Sequence, residues 1–277
     1  MILDGKSVKG QILDELRDEV SHLVIKPKLV VIQVGDDPAS NVYIKQKCNM
    51  CNYIGYGYEH IKLDSDVTNE YMLELIDKLN SDNDVTGILV QLPIAKHLDT
   101  NSIINAIDPL KDVDGLTELN NGKLLCGVDS ISSCTPSGIM ELLDRYGVDV
   151  SGKHVVIVGR SNLVGKPMAL MMLNRNATVT MCHSKTKDLE KHTKMADILV
   201  VAVGKPNFIT GDMVSDNTVV VDVGINRTSE GLCGDVEFSS VYEKASYITP
   251  VPGGVGPMTV ATLAKNVYKA LKLQKRN

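Results

Sequence analysis

Aromatic side chains are scarce in this sequence. Its 277 residues hold no Trp and two Phe, against nine Tyr. A core must therefore be built from aliphatic side chains, and with 43% hydrophobic residues there is enough material for a sizeable one. No apolar run approaches the roughly 18 residues of a membrane-spanning helix. The opening MILDGKSVKG lacks the apolar stretch and small-residue cleavage site of a signal peptide. A basic excess is missing too: the formal charge is -5, which argues against a general nucleic-acid binder but leaves room for a local basic pocket. Of the six cysteines only Cys48 and Cys51 are close, and a lone C-x-x-C without a second pair or a histidine pair is a poor zinc site. Reduced cysteines point to a reducing, cytoplasmic compartment. The histidines are scattered, and no Ser-His-Asp set is apparent.

Apolar runs alternate with amphipathic patterns along the whole chain, without internal repeats. This is the α/β signature of parallel strands joined by crossover helices. KLVVIQVG (28–35), GYGYEHIKL and VTGILVQLP (85–93) read as strands. Asp37 to Ser40 opens a helix through Tyr43, and Thr68 caps a helix over 68–80. The Asp-, Gly- and Asn-rich stretch IDPLKDVDGLTELNNGKLL reads as a long loop, and such loops are usually functional. CTPSGIMELLDRYG starts a helix with Thr135 as cap and Pro136 in the first turn. KHVVIVG, ATVTMCHS, ADILVVAVG and NTVVVDVG read as central parallel strands. The chain closes on a Gly-rich turn feeding a helix that starts near Pro257.

Within NVYIKQKCNM, helical spacing puts Tyr43, Lys47, Met50 and Ile54 on one face and Lys45 off it. Lys47 thus sits on a half-apolar stripe. Either it lays its methylenes there and carries its ammonium to water, or it is held in a cleft for proton chemistry. Gln91 directly follows a buried strand, at the end where open α/β sheets keep ligands; a bond to nearby backbone is the alternative. KDVDG carries Asp112 and Asp114. The remaining ligands of a calcium loop are missing, so the pair are turn formers or include a carboxylate that reads an amidine-like group.

Gly159 to Pro167, GRSNLVGKP, lies where a dinucleotide fingerprint would lie, but Ser161 stands in place of the second glycine. A plain strand-to-helix turn is the rival reading. Arg160 stands at the tip of this turn, and the next strand ends in CHSKT, with Ser184 and Lys185 where an NAD site would place an acid. A cation beside a hydroxyl suits a ribose 2′-phosphate, hence NADP.

DDPASNVYIKQK, GILVQLP, KDVDG, CTPSG, GRSNLVGKP, CHSKT, DVGIN and ITPVPGGVGPMTVATL occur in this order over essentially the whole chain. Together they resemble the bifunctional methylenetetrahydrofolate dehydrogenase/methenyltetrahydrofolate cyclohydrolase family of one-carbon metabolism. The resemblance implies two α/β lobes with a cleft between them, a folate-binding catalytic domain of residues 1–139 and 250–277 and a Rossmann-type NADP-binding domain of 140–249. It implies NADP-dependent oxidation of 5,10-methylenetetrahydrofolate, hydrolysis of the methenyl product to 10-formyltetrahydrofolate, and a cytoplasmic homodimer. Lys47 falls on the family's catalytic lysine, Tyr43 on the folate-stacking tyrosine, Gln91 on the glutamine contacting the lysine, and Asp114 on the carboxylate that holds the pterin. Gly159, Arg160, Ser161, Ser184 and Ile225 fall on cofactor positions. Val90 and Leu92 flank Gln91, and Pro252, Gly253, Gly254, Val255, Gly256, Pro257, Met258 and Thr259 fall on a folate-lining loop. A dehydrogenase-only relative, possibly using NAD, and a non-catalytic binding protein on the same fold are the alternatives.

Overall fold

The computed structural model describes residues 1–229 and 231–275, with Ala39 described by its backbone alone. The chain forms two compact units: a central unit of Met1–Gly10 and Thr135–Thr259, and an amino-terminal unit of Gln11–Cys134 and Val260–Asn277. Helix α1 (Gly5–Ser21) begins in the central unit and runs on into the amino-terminal one. Asp4 caps it by accepting the Ser7 amide at 3.0 Å.

The amino-terminal unit holds a parallel sheet of order β2-β1-β3, with β1 (Lys28–Val34), β2 (Gly57–Leu63) and β3 (Gly87–Val90). β1 is buried from Leu29 onward, which its unbroken aliphatic run anticipates for a central strand. Helix α2 (Pro38–Ile54) links β1 to β2. Asp37 caps it by accepting the Ser40 amide at 2.7 Å, Pro38 fills its first position, and Gly55 ends it in the left-handed region. Thr68 caps α3 (Asn69–Ser81) by accepting the Tyr71 amide. Met72 and Ile76 of α3 pack with Val30, Ile32, Ile88 and Val90 of the sheet and with Ile103 of α4 (Thr100–Asn105).

The stretch expected as a long loop contains a helix, α5 (Glu118–Leu125), capped by Thr117. Its Asp- and Asn-rich composition is that of a turn feeding a capped helix. Asp112 makes the turn: one carboxylate oxygen accepts from the amides of Gly115 and Leu116, the other from the Thr117 amide and the Asn120 side chain.

Helix α6 (Cys134–Arg145) leads into the central unit. It starts one residue before the expected cap, and the Thr135 hydroxyl shares a 3.0 Å hydrogen bond with Thr259. The unit's five parallel strands are β4 (His154–Val158), β5 (Thr178–Cys182), β6 (Ile198–Val201), β7 (Val219–Asp222) and, after the hairpin β8 (Asn226–Thr228) and β9 (Gly231–Cys233), β10 (Tyr247–Ile248). Their order β10-β7-β6-β4-β5 is that of a doubly wound sheet, with its switch point between β4 and β6. Helices α7 (Gly165–Asn174), α8 (Leu189–Thr193) and α9 (Phe238–Tyr242) connect them, and α10 (Val255–Gln274) starts at Val255, two residues before Pro257. Residues 1–10, 135–139 and 250–259, expected with the folate lobe, group by contact with the central unit. Leu3 donates to the Ile248 carbonyl at 2.9 Å, and Gly138 packs directly on Met258. Among the described residues no helix is long and apolar enough to cross a membrane.

Lys111 is buried, and its ammonium donates to the carbonyls of Leu79, Asn80 and Asp82 at 2.7–3.0 Å, closing the carboxyl end of α3. Lys111→Ala strands these carbonyls and is expected to lower stability by about 1–3 kcal/mol in a urea titration; an unchanged midpoint would show that water replaces the ammonium without loss.

Candidate active site

Lys47 lies on α2 one turn after Tyr43. The lower part of their stripe, Met50 and Ile54, is buried, Tyr43 at its upper end is 39% exposed, and Lys45 is exposed. Lys47 ends on protein: its Nζ donates to Gln91 Oε1 at 2.7 Å. Gln91 is itself held twice. Its backbone amide extends the β1–β3 ladder by donating to the Ile32 carbonyl, and its Nε2 donates to the Leu92 carbonyl at 2.8 Å. Of its neighbours, Val90 is buried in the sheet core and Leu92 is partly open.

Asp114 stands close enough to act on Lys47 electrostatically, and Cys134 stands with it. Burial dominates all three groups. It holds the Lys47 amine below the ordinary lysine range, against the pull of Asp114 and Cys134 in the other direction. It raises the Asp114 carboxyl, opposed by Lys47, reinforced by Asp112 and eased by a hydrogen bond to Cys134. It pushes the Cys134 thiol well up, with the Asp114 charge adding to it. Lys47 and Asp114 thus shift toward their neutral forms, as desolvation requires of a partly buried pair. The pair is poised to accept or donate protons and to bind a ligand with donor groups.

In the central unit, Gly159 follows β4 at the switch point with φ 133°, and a Cβ there would lie 2.3 Å from the Ala202 carbonyl oxygen beyond β6. A Cβ on Gly165 would meet the Gly159 oxygen at 2.3 Å, so α7 begins hard against the end of β4. Ser161 replaces a fingerprint glycine with a function of its own: its hydroxyl accepts from the amides of Val164 and Gly165 at the start of α7. The pairing of Val158 with Cys182 puts Arg160 and Ser184 each two residues past a matched position, and both are exposed. Such a glycine cradle at a helix start fits the pyrophosphate of a dinucleotide. Ile225 is 49% exposed, with its Cδ1 3.5 Å from where a Gly256 Cβ would stand. In the Gly-rich loop Pro252 is exposed, Gly253, Gly256, Pro257 and Thr259 are partly so, and Gly254, Val255 and Met258 are buried. Met258 packs into the unit around Gly138.

Residues 3–114 match the family model "Tetrahydrofolate dehydrogenase/cyclohydrolase, catalytic domain", and residues 133–275 match "Tetrahydrofolate dehydrogenase/cyclohydrolase, NAD(P)-binding domain". The chain belongs to this family. A curated relative from Agathobacter rectalis, named bifunctional protein FolD, is 53% identical over 98% of this chain and 99% of its own. The crystal structure of the bifunctional FolD methylenetetrahydrofolate dehydrogenase/cyclohydrolase from Campylobacter jejuni is 46% identical, covers 99% of both chains and superposes with a TM-score of 0.97. The Trypanosoma brucei enzyme, solved with NADP cofactor and an inhibitor, is 35% identical, covers 100% of this chain and 99% of its own, and has a TM-score of 0.94.

Three supporting groups are not legible as site residues in the sequence. Cys134 lies in the CTPSG motif, but its place beside Asp114 is a tertiary fact. Asp235 accepts from the amides of Val203, Gly204 and Lys205 and from Asn226, and Asp222 accepts from those of Gly224, Asp235 and Val236. These buried carboxylates order the loops after β6 and β7 that border the switch point. Burial pushes Asp222 up to about 6, although its three amide donors act the other way. Only the polar bias of DVGIN and GDVEF hinted at them.

The Lys47 amine is expected to titrate below an ordinary lysine by NMR of the labelled side chain. Because the Asp114 charge raises it, Asp114→Asn should move that midpoint lower still. A midpoint near 10.4, typical of free lysine, would mean that Lys47 is solvated.

Proposed function

We propose that the chain oxidises 5,10-methylenetetrahydrofolate with NADP and hydrolyses the methenyl product to 10-formyltetrahydrofolate, with Lys47 as the base of the second step. The observation that carries this reading is the Lys47–Gln91 hydrogen bond, made by an amine whose ammonium form burial disfavours. In its neutral form Lys47 donates one N–H to Gln91 and keeps a lone pair for a proton. Gln91, fixed by its bond to Leu92, sets the direction of that lone pair. Water adding to the methenyl cation must lose a proton, and the lysine takes it. The cation itself lowers the lysine further when bound. Hydration should therefore rise with pH as Lys47 loses its proton, through a midpoint below that of free lysine.

Asp114 accepts from the amino edge of the pterin, as a carboxylate does from paired donors, and Tyr43 offers its ring face to the folate. Gln91 and Leu92 add to the folate contacts of the amino-terminal unit, and the family resemblance makes the open residues of the 252–259 loop folate-lining as well. The loop's buried members Val255 and Met258 serve by shaping it. NADP supplies a hydride acceptor when bound. Gly159 and the start of α7 receive its phosphates, Ser161 holds that turn, Arg160 and Ser184 take the 2′-phosphate, and Ile225 packs on the dinucleotide. Oxidation asks no proton of the folate carbon, so Lys47 is idle as a base in that step. On this reading the amino-terminal unit is the catalytic domain and the central unit binds the dinucleotide. A homodimer in the cytoplasm belongs to the same reading on the strength of the family resemblance, and light scattering after gel filtration measures the dimer directly.

The rival with NAD is addressed by Arg160. Arg160→Ala is expected to weaken NADP by roughly 1.5–3 kcal/mol, the range of a charge-assisted contact, and NAD hardly at all. Equal losses for both would assign Arg160 to the pyrophosphate or the fold.

The dehydrogenase-only rival is addressed by Lys47. Lys47→Gln is expected to remove the general-base contribution of about 100-fold to 10,000-fold from hydration while a reduced oxidation survives. Methenyltetrahydrofolate should accumulate, visible by its absorbance, when the variant receives methylenetetrahydrofolate and NADP. Lys47→Arg should not restore hydration, since arginine stays protonated. A variant that keeps both activities, or loses oxidation alone, would remove Lys47 from the role.

A further inference from the structure

Asn266 lies on α10, buried, and its side-chain amide donates to two backbone carbonyls from separate segments: Val113 O at 2.9 Å and Ser132 O at 2.9 Å. Its nitrogen also lies 3.5 Å from Cys134 Sγ. An amide has two hydrogens to give, so the carbonyls take them and the sulfur contact is secondary. The single Cys134 S–H has two acceptors in reach, Val113 O at 3.4 Å and the Asp114 carboxylate.

The geometry falls around one residue. Val113 O belongs to the planar peptide that carries the Asp114 nitrogen, so a bond to it fixes the orientation in which the chain enters Asp114. On the far side of Asp114, Gly115 has φ 69°, and a Cβ there would lie 2.3 Å from the Ser132 carbonyl carbon and 2.5 Å from the Ser133 nitrogen. The 113–115 turn and the 132–134 segment are therefore in backbone contact. Asp112 anchors the turn on one side, and Asn266 ties it to the segment bearing Cys134 on the other. The groups that face Lys47 electrostatically, Asp114 and Cys134, sit on the two strips of backbone that Asn266 joins.

We infer that Asn266 is a positioning residue for the folate site: its amide ties the Val113 and Ser132 carbonyls together and thereby sets the Asp114 carboxylate against Lys47 and Cys134. It touches no substrate and acts through Asp114. The inference rests on the reading of Asp114 as the carboxylate that holds the pterin.

A double-mutant cycle of Asn266→Ala and Asp114→Asn tests it, with Lys269→Met as the control for loss of packing. Lys269 lies one turn further along α10 and bonds Asp129 and the Ser130 carbonyl. Asn266→Ala is expected to raise the KM for methylenetetrahydrofolate about 10-fold, within the usual range for coupled neighbours. The KM for NADP should stay as it is. The pH midpoint of methenyl hydration should move by about half a unit or more, as follows from a displaced neighbouring charge. Asn266→Ser keeps a single donor and should recover part of the loss; it also carries the test if the alanine variant does not fold. Lys269→Met should change neither the folate KM nor the pH midpoint. With Asp114→Asn already present, Asn266→Ala should add less than about twofold to the folate KM, because the group it positions is gone. Additive effects in the cycle, or a pH profile that only scales down, would overturn the inference and leave the Asp114 reading intact. An Asp114→Asn enzyme with normal folate KM would sink both.

Discussion

An amine can serve as a base near neutral pH only if its ammonium form is disfavoured, and a partly buried amine is tolerated only if it is hydrogen-bonded. The amino-terminal unit meets both demands at Lys47. Burial shifts the amine toward neutrality, and Gln91 accepts its hydrogen bond at 2.7 Å. Both partners depend on the sheet. Gln91 extends the parallel ladder from Ile32, which fixes its Cα at the open end of β3, and α2 crosses from β1 to β2 with a capped start and a glycine stop that set its length. Lys47 stands where that helix passes the strand end. A shift of one residue in α2 would turn Lys47 by about 100° away from Gln91.

How much of this was legible in the sequence differs from element to element. The strands were, because parallel strands buried on both faces have to be aliphatic, and β1, β4, β6 and β7 are nearly unbroken runs of Val, Ile and Leu. The stripe of Tyr43, Lys47, Met50 and Ile54 was legible from helical spacing alone. Which of two readings Lys47 obeys was not, since Gln91 lies 44 positions away and no local pattern carries that distance. The stretch around α5 reads as loop because Asp, Asn and Gly favour turns, while here Asp112 and Thr117 use that same chemistry to start a helix. Thr135 reads as a cap because Ser/Thr-Pro at a helix start usually is one; its hydroxyl goes to Thr259 instead. Asn266 was invisible: an asparagine inside a long helix has no local mark, and its two acceptors are far away in the chain.

The central unit shows how a departed motif can still suit its task. A second fingerprint glycine exists to let phosphate approach the backbone closely. Here Gly159 makes the close approach to Ala202 and Gly165 makes the one between α7 and β4, so the two contacts without room for a Cβ are kept. Ser161 lies between them, and its hydroxyl binds the first amides of α7. The serine tightens the turn from within, and the fingerprint is better judged by which positions lack space than by a count of glycines.

The two aspartates of KDVDG divide the work of one short turn by the partners each can find. Asp112 is buried and takes four donors, three of them backbone amides, so its charge is spent on local structure. Asp114, two residues on, has no such set of amides around its carboxylate among the described residues. It is buried enough to be shifted upward and is steadied by Lys47 and by Cys134. A carboxylate with so few committed acceptor positions retains capacity for donors from outside the chain. The same spacing thus yields one carboxylate that builds the turn and one whose acceptor positions the turn leaves open.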